Sequence, residues 1–439
     1  MGMPGVLPVL NKKVVEYGMR IGIALNCEVA EVTRFDRKNY FYPDLPKDYQ
    51  VSQYQQAICN HGHLVVHGKK IRILRAHLEE DAGKLVHAGA AGLHGSDYSL
   101  VDYNRTGVPL MEIVSEPDIE NAEMARDYLM ELRRILRYIE VCDGNLEEGS
   151  FRCDANVSIR PKGDTKLGTK AELKNMNSFS AVQRAIEFEI KRQTDVLNSG
   201  GRVIQETRLW NDATQTTHPM RSKEEAHDYR YFPDPDLVPL HIDRKWVEQV
   251  RTSLPELPEA RRKRYVEQNG LSADDAHVLA ESREMSDFFD EALKLGTPPK
   301  EGANLLLNET MRYLKDNNKE LADVKFTTQN LHDLVKALSS GKLNSTSAKT
   351  VLTELLENAN SVDKVIEQKG LAQISNESDL KPIIQDVLKA NQPQVDEYRA
   401  GDDKKKSKVR QFLIGQSMKT LKGRGNPAVI NKLLDELLS

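Results

Sequence analysis

Apolar positions change their period along this chain, and the change divides it. Over residues 9–26 (VLNKKVVEYGMRIGIALN) they recur at helical spacing and predict a packed helix. Residues 71–80 (IRILRAHLEE) alternate instead, with Ile71 and Ile73 in one phase and Leu74, Ala76 and Leu78 in the other, as a strand does. Residues 109–114 (PLMEIV) are apolar enough for a buried strand. A helix follows over 119–141, with Ala125, Tyr128, Leu129, Leu132, Ile135, Leu136 and Ile139 on one face and Arg133 and Arg134 among the charged remainder. It reads as a cover on a sheet. Strand spacing returns at 156–160 and 170–174, and a helix over 178–198 stops at Gly200-Gly201. From about residue 245 the strand signals cease and helical spacing runs on to the end. A boundary is expected near 245–255, and a second near 368–375, where QKGLAQISNES interrupts the pattern. The fold class is α+β: a mixed sheet-and-helix domain over 1–250, an all-helical domain over 251–370 and a small helical module over 371–439.

Two acidic features interrupt this pattern. Glu112 stands inside Pro109-Leu110-Met111-Glu112-Ile113-Val114, where a carboxylate loses its water. Unpaired, it costs several kcal/mol or gives up its charge. Protonation, a cation such as nearby Arg105, or a metal ion would satisfy it. The second feature is Glu79-Glu80-Asp81 at the end of strand 71–80, with His77 just before. Adjacent acids repel one another unless something positive lies between them. If 71–80 and 109–114 share a sheet, Glu80 and Glu112 converge on one ion, and oxygen ligands suit Mg²⁺ or Ca²⁺. An exposed acidic turn is the plainer account.

The loops add polar and aromatic groups. Residues 35–56 are rich in Tyr, Lys, Arg and Gln, and Pro43 and Pro46 forbid a continuous helix. They make a wall for an anionic or nucleotide ligand, or simply an anchored loop. DYRYFPDPDLVPL (228–240) repeats that character. Between 147 and 177, Arg152, Asp154, Asn156, Lys170, Glu172, Lys174, Asn175 and Asn177 suit either a polar groove or a solvated sheet face. Gly89, Gly92 and Gly95 read more readily as a hairpin loop than as a phosphate cradle.

Composition narrows the class. The 439 residues allow two to four domains, and 29% charged residues with a net charge of −4 mark a soluble protein. No run approaches the ~18 apolar residues of a membrane span. The start, MGMPGVLPVLNKK, does not read as a signal peptide, nor is it a myristoylation site. Cys27, Cys59, Cys142 and Cys153 have neither zinc nor disulfide-framework spacing, which fits a reducing cytoplasm. Charge is segregated. Residues 404–424 carry Lys404, Lys405, Lys406, Lys408, Arg410, Lys419, Lys422 and Arg424 and no acid, so this stretch holds +8 and the rest of the chain −12. That predicts an anionic partner, nucleic acid first, against a solvated helix face or a linker.

In this order, FDRKNYFYPDLPKDYQVSQY, HLEEDAGK, DYNRTGVPLMEIVSEPD, EEGSFRCDANVS, GTKAELKNMNSF and DYRYFPDPDLVPL run through the chain. The chain thereby resembles, essentially end to end, the B subunits of bacterial glutamyl/aspartyl-tRNA amidotransferases. The resemblance implies a cradle-shaped α/β domain, a helical domain and a tail that contacts tRNA. It implies a heterotrimer with an amidase A subunit and a small C subunit. With ATP and Mg²⁺, the B subunit would phosphorylate the side-chain carboxylate of Glu-tRNA(Gln) or Asp-tRNA(Asn), and ammonia from glutamine would then displace phosphate.

Carried over by position, Glu80 and Glu112 would hold Mg²⁺, with Lys38 and Lys47 in the catalytic site. Tyr40, Tyr42, Asp154, Asn156, Lys170 and Lys174 would line the substrate or ammonia path. Lys404, Lys405, Lys406, Lys408, Arg410, Lys422 and Arg424 would meet tRNA. Members of the family begin with a further Gly-Leu-Glu-Val-His strand that supplies metal ligands. Its absence here predicts weak Mg²⁺ binding, an open sheet edge and, as an alternative function, an impaired tRNA-binding scaffold. An RNA-binding protein with no small-molecule site is the third reading, and it predicts that Glu112→Gln is harmless or stabilising.

Overall fold

The computed structural model describes residues 5–88, 98–220, 229–421 and 423–438. The chain forms two compact units, Met1–Leu257 and Pro258–Ser439. The mixed strands and helices of the first and the helices of the second make the fold α+β.

The first unit opens with helix α1 (Lys12–Ala24), whose start is capped by the Asn11 side chain accepting from Lys13 N. Strands β1 (Glu28–Val29), β2 (Val32–Thr33), β3 (Asp36–Asn39), β4 (Tyr49–Ser52), β5 (Cys59–Val66), β6 (Lys69–Glu80), β7 (Lys84–Ala88), β8 (Tyr98–Asp102) and β9 (Pro109–Ser115) follow. Then come α2 (Ala122–Tyr138), β10 (Ala155–Val157), β11 (Ala171–Lys174), α3 (Phe179–Asn198), β12 (Thr207–Asn211), β13 (Thr216–Pro219), β14 (Phe232–Pro233), β15 (Leu240–His241) and α4 (Arg244–Ser253).

The principal sheet is antiparallel, in the order β1-β5-β6-β9. Helices α1 and α2 pack on it, the latter through the apolar face expected of it (Ala125, Tyr128, Leu129, Leu132, Ile135 and Leu136). The approach of α1 is close. A Cβ at Gly22 would collide with the Cys59 sulfur, so glycine there lets the helix sit down on β5. A second sheet, β10-β11-β12-β13, holds one parallel pair, β11 with β12. A three-stranded sheet, β14-β3-β4, brings the two aromatic loops of the sequence together. The strand expected over 156–160 is shorter, ending at Val157. Gly89, Gly92 and Gly95 lie outside the described residues.

Strand β6 carries an irregularity that decides what faces where. Ile73 pairs with Ser115, yet Arg75 pairs with Val114, so Leu74 is an extra residue, a β-bulge. Before the bulge the odd residues Ile71 and Ile73 are buried in the core; after it the even residues Ala76 and Leu78 are. The two apolar phases of the sequence are therefore one face of one strand. Arg75, His77 and Glu79 turn to the opposite face, together with Glu112 and Val114 of β9.

The second unit is helical. Helices α5 (Pro258–Glu267), α6 (Ala273–Leu279), α7 (Arg283–Lys294), α8 (Pro299–Asn304), α9 (Met311–Asp316), α10 (Thr328–Ser339), α11 (Ser345–Glu357) and α12 (Val362–Lys369) supply one cluster of buried side chains. A π-helical turn, Leu305–Thr310, joins α8 to α9. Helix α12 ends at Gly370 in the left-handed conformation, φ 57°. Helices α13 (Glu377–Ala390), α14 (Gln392–Ala400), α15 (Asp403–Thr420) and α16 (Pro427–Leu438) gather around a separate cluster with Leu380, Ile384, Leu413 and Leu434 at its centre.

Candidate active site

The site lies on the face of β6 and β9 that the bulge turns away from the core. His77 and Glu112 are directly opposed across the two strands, and Glu79 follows His77 on the same face. His77 Nε2 stands 3.2 Å from Glu112 Oε2 and 3.3 Å from Glu79 Oε1. One donor atom from each of the three lies within 4.8 Å of the others. His77 and Glu79 have side chains only 2% and 7% exposed, whereas Glu112 is 53% exposed and opens the group to solvent.

Strand β4 crosses this end of β6 and fixes Glu79. Ser52 Oγ donates to Glu79 Oε1 at 2.7 Å, and Gln50 Nε2 donates to the Glu80 carbonyl at 2.6 Å. Burial opposes a charge on Glu79, but the His77 hydrogen bond, the Lys38 ammonium and the Ser52 hydrogen bond together hold its carboxyl below the ordinary range. The His77 hydrogen bond likewise lowers Glu112, against burial. Burial works against an imidazolium at His77, yet the bonds to Glu112 and Glu79 outweigh it and raise the ring above its usual value. Its Nδ1 is buried without a hydrogen-bond partner.

These positions correct the expected metal pair. Glu80 is one residue out of phase with Glu79, so alternation turns it away from Glu112. Its carboxylate takes the Val51 N–H at 2.8 Å and ion-pairs with Lys47. Glu112 is not the buried carboxylate its apolar neighbours suggest, because β9 is the last strand of its sheet and its residues are half exposed. Arg105 is not its partner either; it reaches Asp81 at 3.2 Å. The signal in the sequence for this group is the i, i+2 spacing of His77 and Glu79, which places both on one strand face. The three donors present, two carboxylates and an imidazole, fit a hard divalent cation.

Lys38 lies on β3 with its ammonium 4.9 Å from the centre of the Tyr229 ring. Tyr229 makes edge contacts with Tyr40 and Tyr231, at 6.2 and 6.1 Å between centres, and Tyr231 stacks on Tyr54 at 4.3 Å and 10°. Burial, then Asp44 and Tyr229, push the Tyr40 hydroxyl well up; burial, then Glu79, do the same to Tyr231. The two loops thus form one aromatic wall beside the acids. Tyr42 is exposed.

The remaining candidates are elsewhere in the fold. Asn156 belongs to the second sheet and Asp154 directly precedes its first strand; Lys174 pairs with Asp154 at 3.2 Å and with Glu172 at 3.6 Å. Burial lowers Lys174, but these two carboxylates prevail and raise it. Lys170 is exposed. On α15, Lys404, Lys405 and Lys408 are exposed, and Lys406 lies 5.9 Å from the Tyr398 ring centre. Arg410 and Arg424 are committed inside the fold: Arg410 forks onto Asp435 at 2.8 Å through two nitrogens, and Arg424 donates to the Gly370 carbonyl at 2.8 Å. Lys422 lies outside the described residues.

Residues 1–248 match the family described as the GatB/GatE catalytic domain, and residues 287–438 match the GatB domain. The chain belongs to the GatB/GatE family. It is 51% identical to a Carboxydothermus hydrogenoformans protein across all of this chain and 91% of that relative. It is 52% identical to a Brevibacillus brevis protein over the same shares, and 52% identical to one from Geobacter sulfurreducens over 99% of this chain and 90% of the relative. All three relatives are aspartyl/glutamyl-tRNA(Asn/Gln) amidotransferase subunits B. The His77, Glu79 and Glu112 group falls inside the catalytic-domain match. Among the described residues no helix is long and apolar enough to cross a membrane.

Proposed function

We propose that this chain is the B subunit of a tRNA-dependent amidotransferase and that its first unit activates a carboxylate with ATP. The carboxylate is the side chain of glutamate on tRNA(Gln), of aspartate on tRNA(Asn), or of both. The activated acid is an acyl phosphate, which ammonia from the glutamine-hydrolysing A subunit converts to the amide; a small C subunit completes the complex. The observation that carries this reading is the convergence of His77, Glu79 and Glu112 on one face, beside Lys38, in a chain of this family.

His77, Glu79 and Glu112 are the residues that would hold Mg²⁺, and the orphaned Nδ1 leaves the His77 ring free of any competing bond on its far side. A divalent ion held there would supply neutralisation of phosphate charge. The protein's own work is positional. Ser52 and Gln50 hold Glu79 and the strand end, and Lys38 adds a cation toward an incoming anion. The aromatic wall excludes water from one side of the site. Asp154, Asn156, Lys170 and Lys174 form the polar surface assigned to ammonia, and the exposed lysines of α15 meet tRNA. The soluble complex works in the cytoplasm, where tRNA is charged.

The test is ADP release by the complex with its A and C subunits, with and without misacylated tRNA. Release is expected to depend on the misacylated tRNA and to fall about 100-fold or more in Glu79→Gln. Release that ignores the tRNA, or that Glu79→Gln leaves intact, would refute the reading. A scaffold that only binds tRNA has no use for three converging donors.

A further inference from the structure

Four arginines around the site are bound to carboxylates. Arg37 pairs with Asp234 and Asp236, Arg72 with Asp118, and Arg105 and Arg152 with Asp81. Arg75 has no carboxylate partner among the described residues. Among the described residues it makes a single hydrogen bond, from Nη1 to the Tyr54 carbonyl at 2.8 Å, and its Nε is buried without a partner. The bulge at Leu74 puts it on the face of β6 that carries His77 and Glu79, two residues before the imidazole. Unbulged, the strand would have sent residue 75 into the core with Ile71 and Ile73.

A half-buried guanidinium with donors to spare is expensive unless something anionic uses it. Its neighbours make the vacancy directional. The Tyr54 carbonyl takes one terminal nitrogen, and the stacked Tyr54 and Tyr231 rings stand beside it. Nη2 makes no hydrogen bond among the described residues, and residue 75 shares its strand face with His77 and Glu79. A planar fork suits two oxygens of one phosphoryl group, and Arg keeps its charge at any working pH.

We propose that Arg75 contacts the phosphoryl group that is transferred. The inference rests on the function proposed above. In that step an oxygen of the substrate carboxylate forms a bond to the γ-phosphorus. The bond from that phosphorus to its bridging oxygen breaks, and the electron pair departs on ADP. Charge passes through the three equatorial oxygens, and the guanidinium meets two of them. A contact made there strengthens as the transfer proceeds.

The experiment uses the complex with its A and C subunits, carrying Arg75→Gln, Arg75→Lys or, as a control on the same strand, Arg72→Gln. Binding of the non-hydrolysable analogue AMPPNP is compared with binding of ADP, and kcat for tRNA-dependent ADP release is measured alongside Tm. Arg75→Gln is expected to weaken AMPPNP about tenfold, to change ADP little, and to lower kcat about 100-fold or more at unchanged Tm. Arg75→Lys recovers part of the AMPPNP affinity, and Arg72→Gln, which loosens only the Asp118 fastening, keeps the parent's nucleotide affinities and kcat. Equal loss of both nucleotides with a lowered Tm would show a structural role and overturn the assignment; so would an Arg75→Gln variant with full AMPPNP affinity. If the parent releases no ADP on meeting misacylated tRNA, the proposed function fails, and the AMPPNP-to-ADP contrast still decides Arg75. If the parent binds neither nucleotide, both fail.

Discussion

Glu79, Glu80 and Glu112 show how much one residue of phase matters. Glu112 is half exposed, so exchanging it for Gln removes a donor without leaving a buried hole. Glu112→Gln should cut tRNA-dependent ADP release by about 100-fold while moving stability by under ~0.5 kcal/mol, checked by paired kinetic and urea-unfolding measurements. Glu80→Gln should do the reverse. Lys47 and Glu80 form an enclosed ion pair, with side chains 10% and 15% exposed, and Glu80 also accepts the Val51 N–H. Stripping one partner should cost about 1–3 kcal/mol, seen as a lower urea midpoint with an unchanged slope. A Glu80→Gln complex that folds normally but has lost ADP release would contradict this division. The sequence showed that acids gather at this strand end. It could not show which acid serves the site, because that depends on strand phase, and the phase was reset at Leu74.

At the scale of the element, strand β6 joins legible and illegible information. Its extent was readable from Ile71, Ile73, Ala76 and Leu78, and the jump from odd to even positions was itself the trace of the bulge. Alternation alone does not say whether such a jump is a bulge or a strand buried on both faces. The bulge makes two contrasting predictions. Leu74 is 42% exposed, so Leu74→Ala should change stability by no more than ~0.5 kcal/mol. Deleting Leu74 should slide Arg75, His77 and Glu79 toward the core, bury three ionisable groups and abolish both cooperative unfolding and nucleotide binding. Normal nucleotide binding by the deletion variant would show that the bulge does not orient the site.

The β6–β9 pair has a second fastening beyond the strand end. Asp118 accepts from Arg72 N, Nε and Nη2 at 2.9, 2.8 and 2.7 Å. The Arg72 side-chain bond, against slight burial and with help from the Arg72 backbone, lowers the Asp118 carboxyl from 3.8 to about 2. A depressed native value means that unfolding takes up a proton. The contribution is therefore complete above about pH 4 and is lost as pH falls toward 2. Asp118→Asn should flatten the acid-unfolding profile within that window and, above it, lower stability by an amount that no longer varies with pH. An identical profile in the variant would show that the fastening adds nothing.

For the whole molecule, the two units answer to different parts of the sequence. The loss of strand spacing near 245 was plain in the pattern, and the chain divides between Leu257 and Pro258. What the pattern did not separate was used charge from free charge in the basic stretch. Arg410 and Arg424 looked equivalent to their lysine neighbours, but their partners, Asp435 and Gly370, come from other helices or their ends. Placing them required the packing of α15 against α16 and of the 423–426 turn beside the end of α12. The proposed tRNA contact therefore falls chiefly to Lys404, Lys405 and Lys408, which are exposed on α15. Each phosphate contact removed lowers the slope of log affinity against log salt by about 0.7–0.9. Changing all three lysines to Gln should thus reduce the slope by about 2–3 and weaken binding most at low salt. Arg410→Gln should leave the slope alone and instead loosen α15 against α16. Fluorescence titration of tRNA over a salt series, with thermal unfolding of the same variants, separates the two effects. A triple variant with the parental slope would remove α15 from the tRNA path and leave its lysines as a solvated helix face.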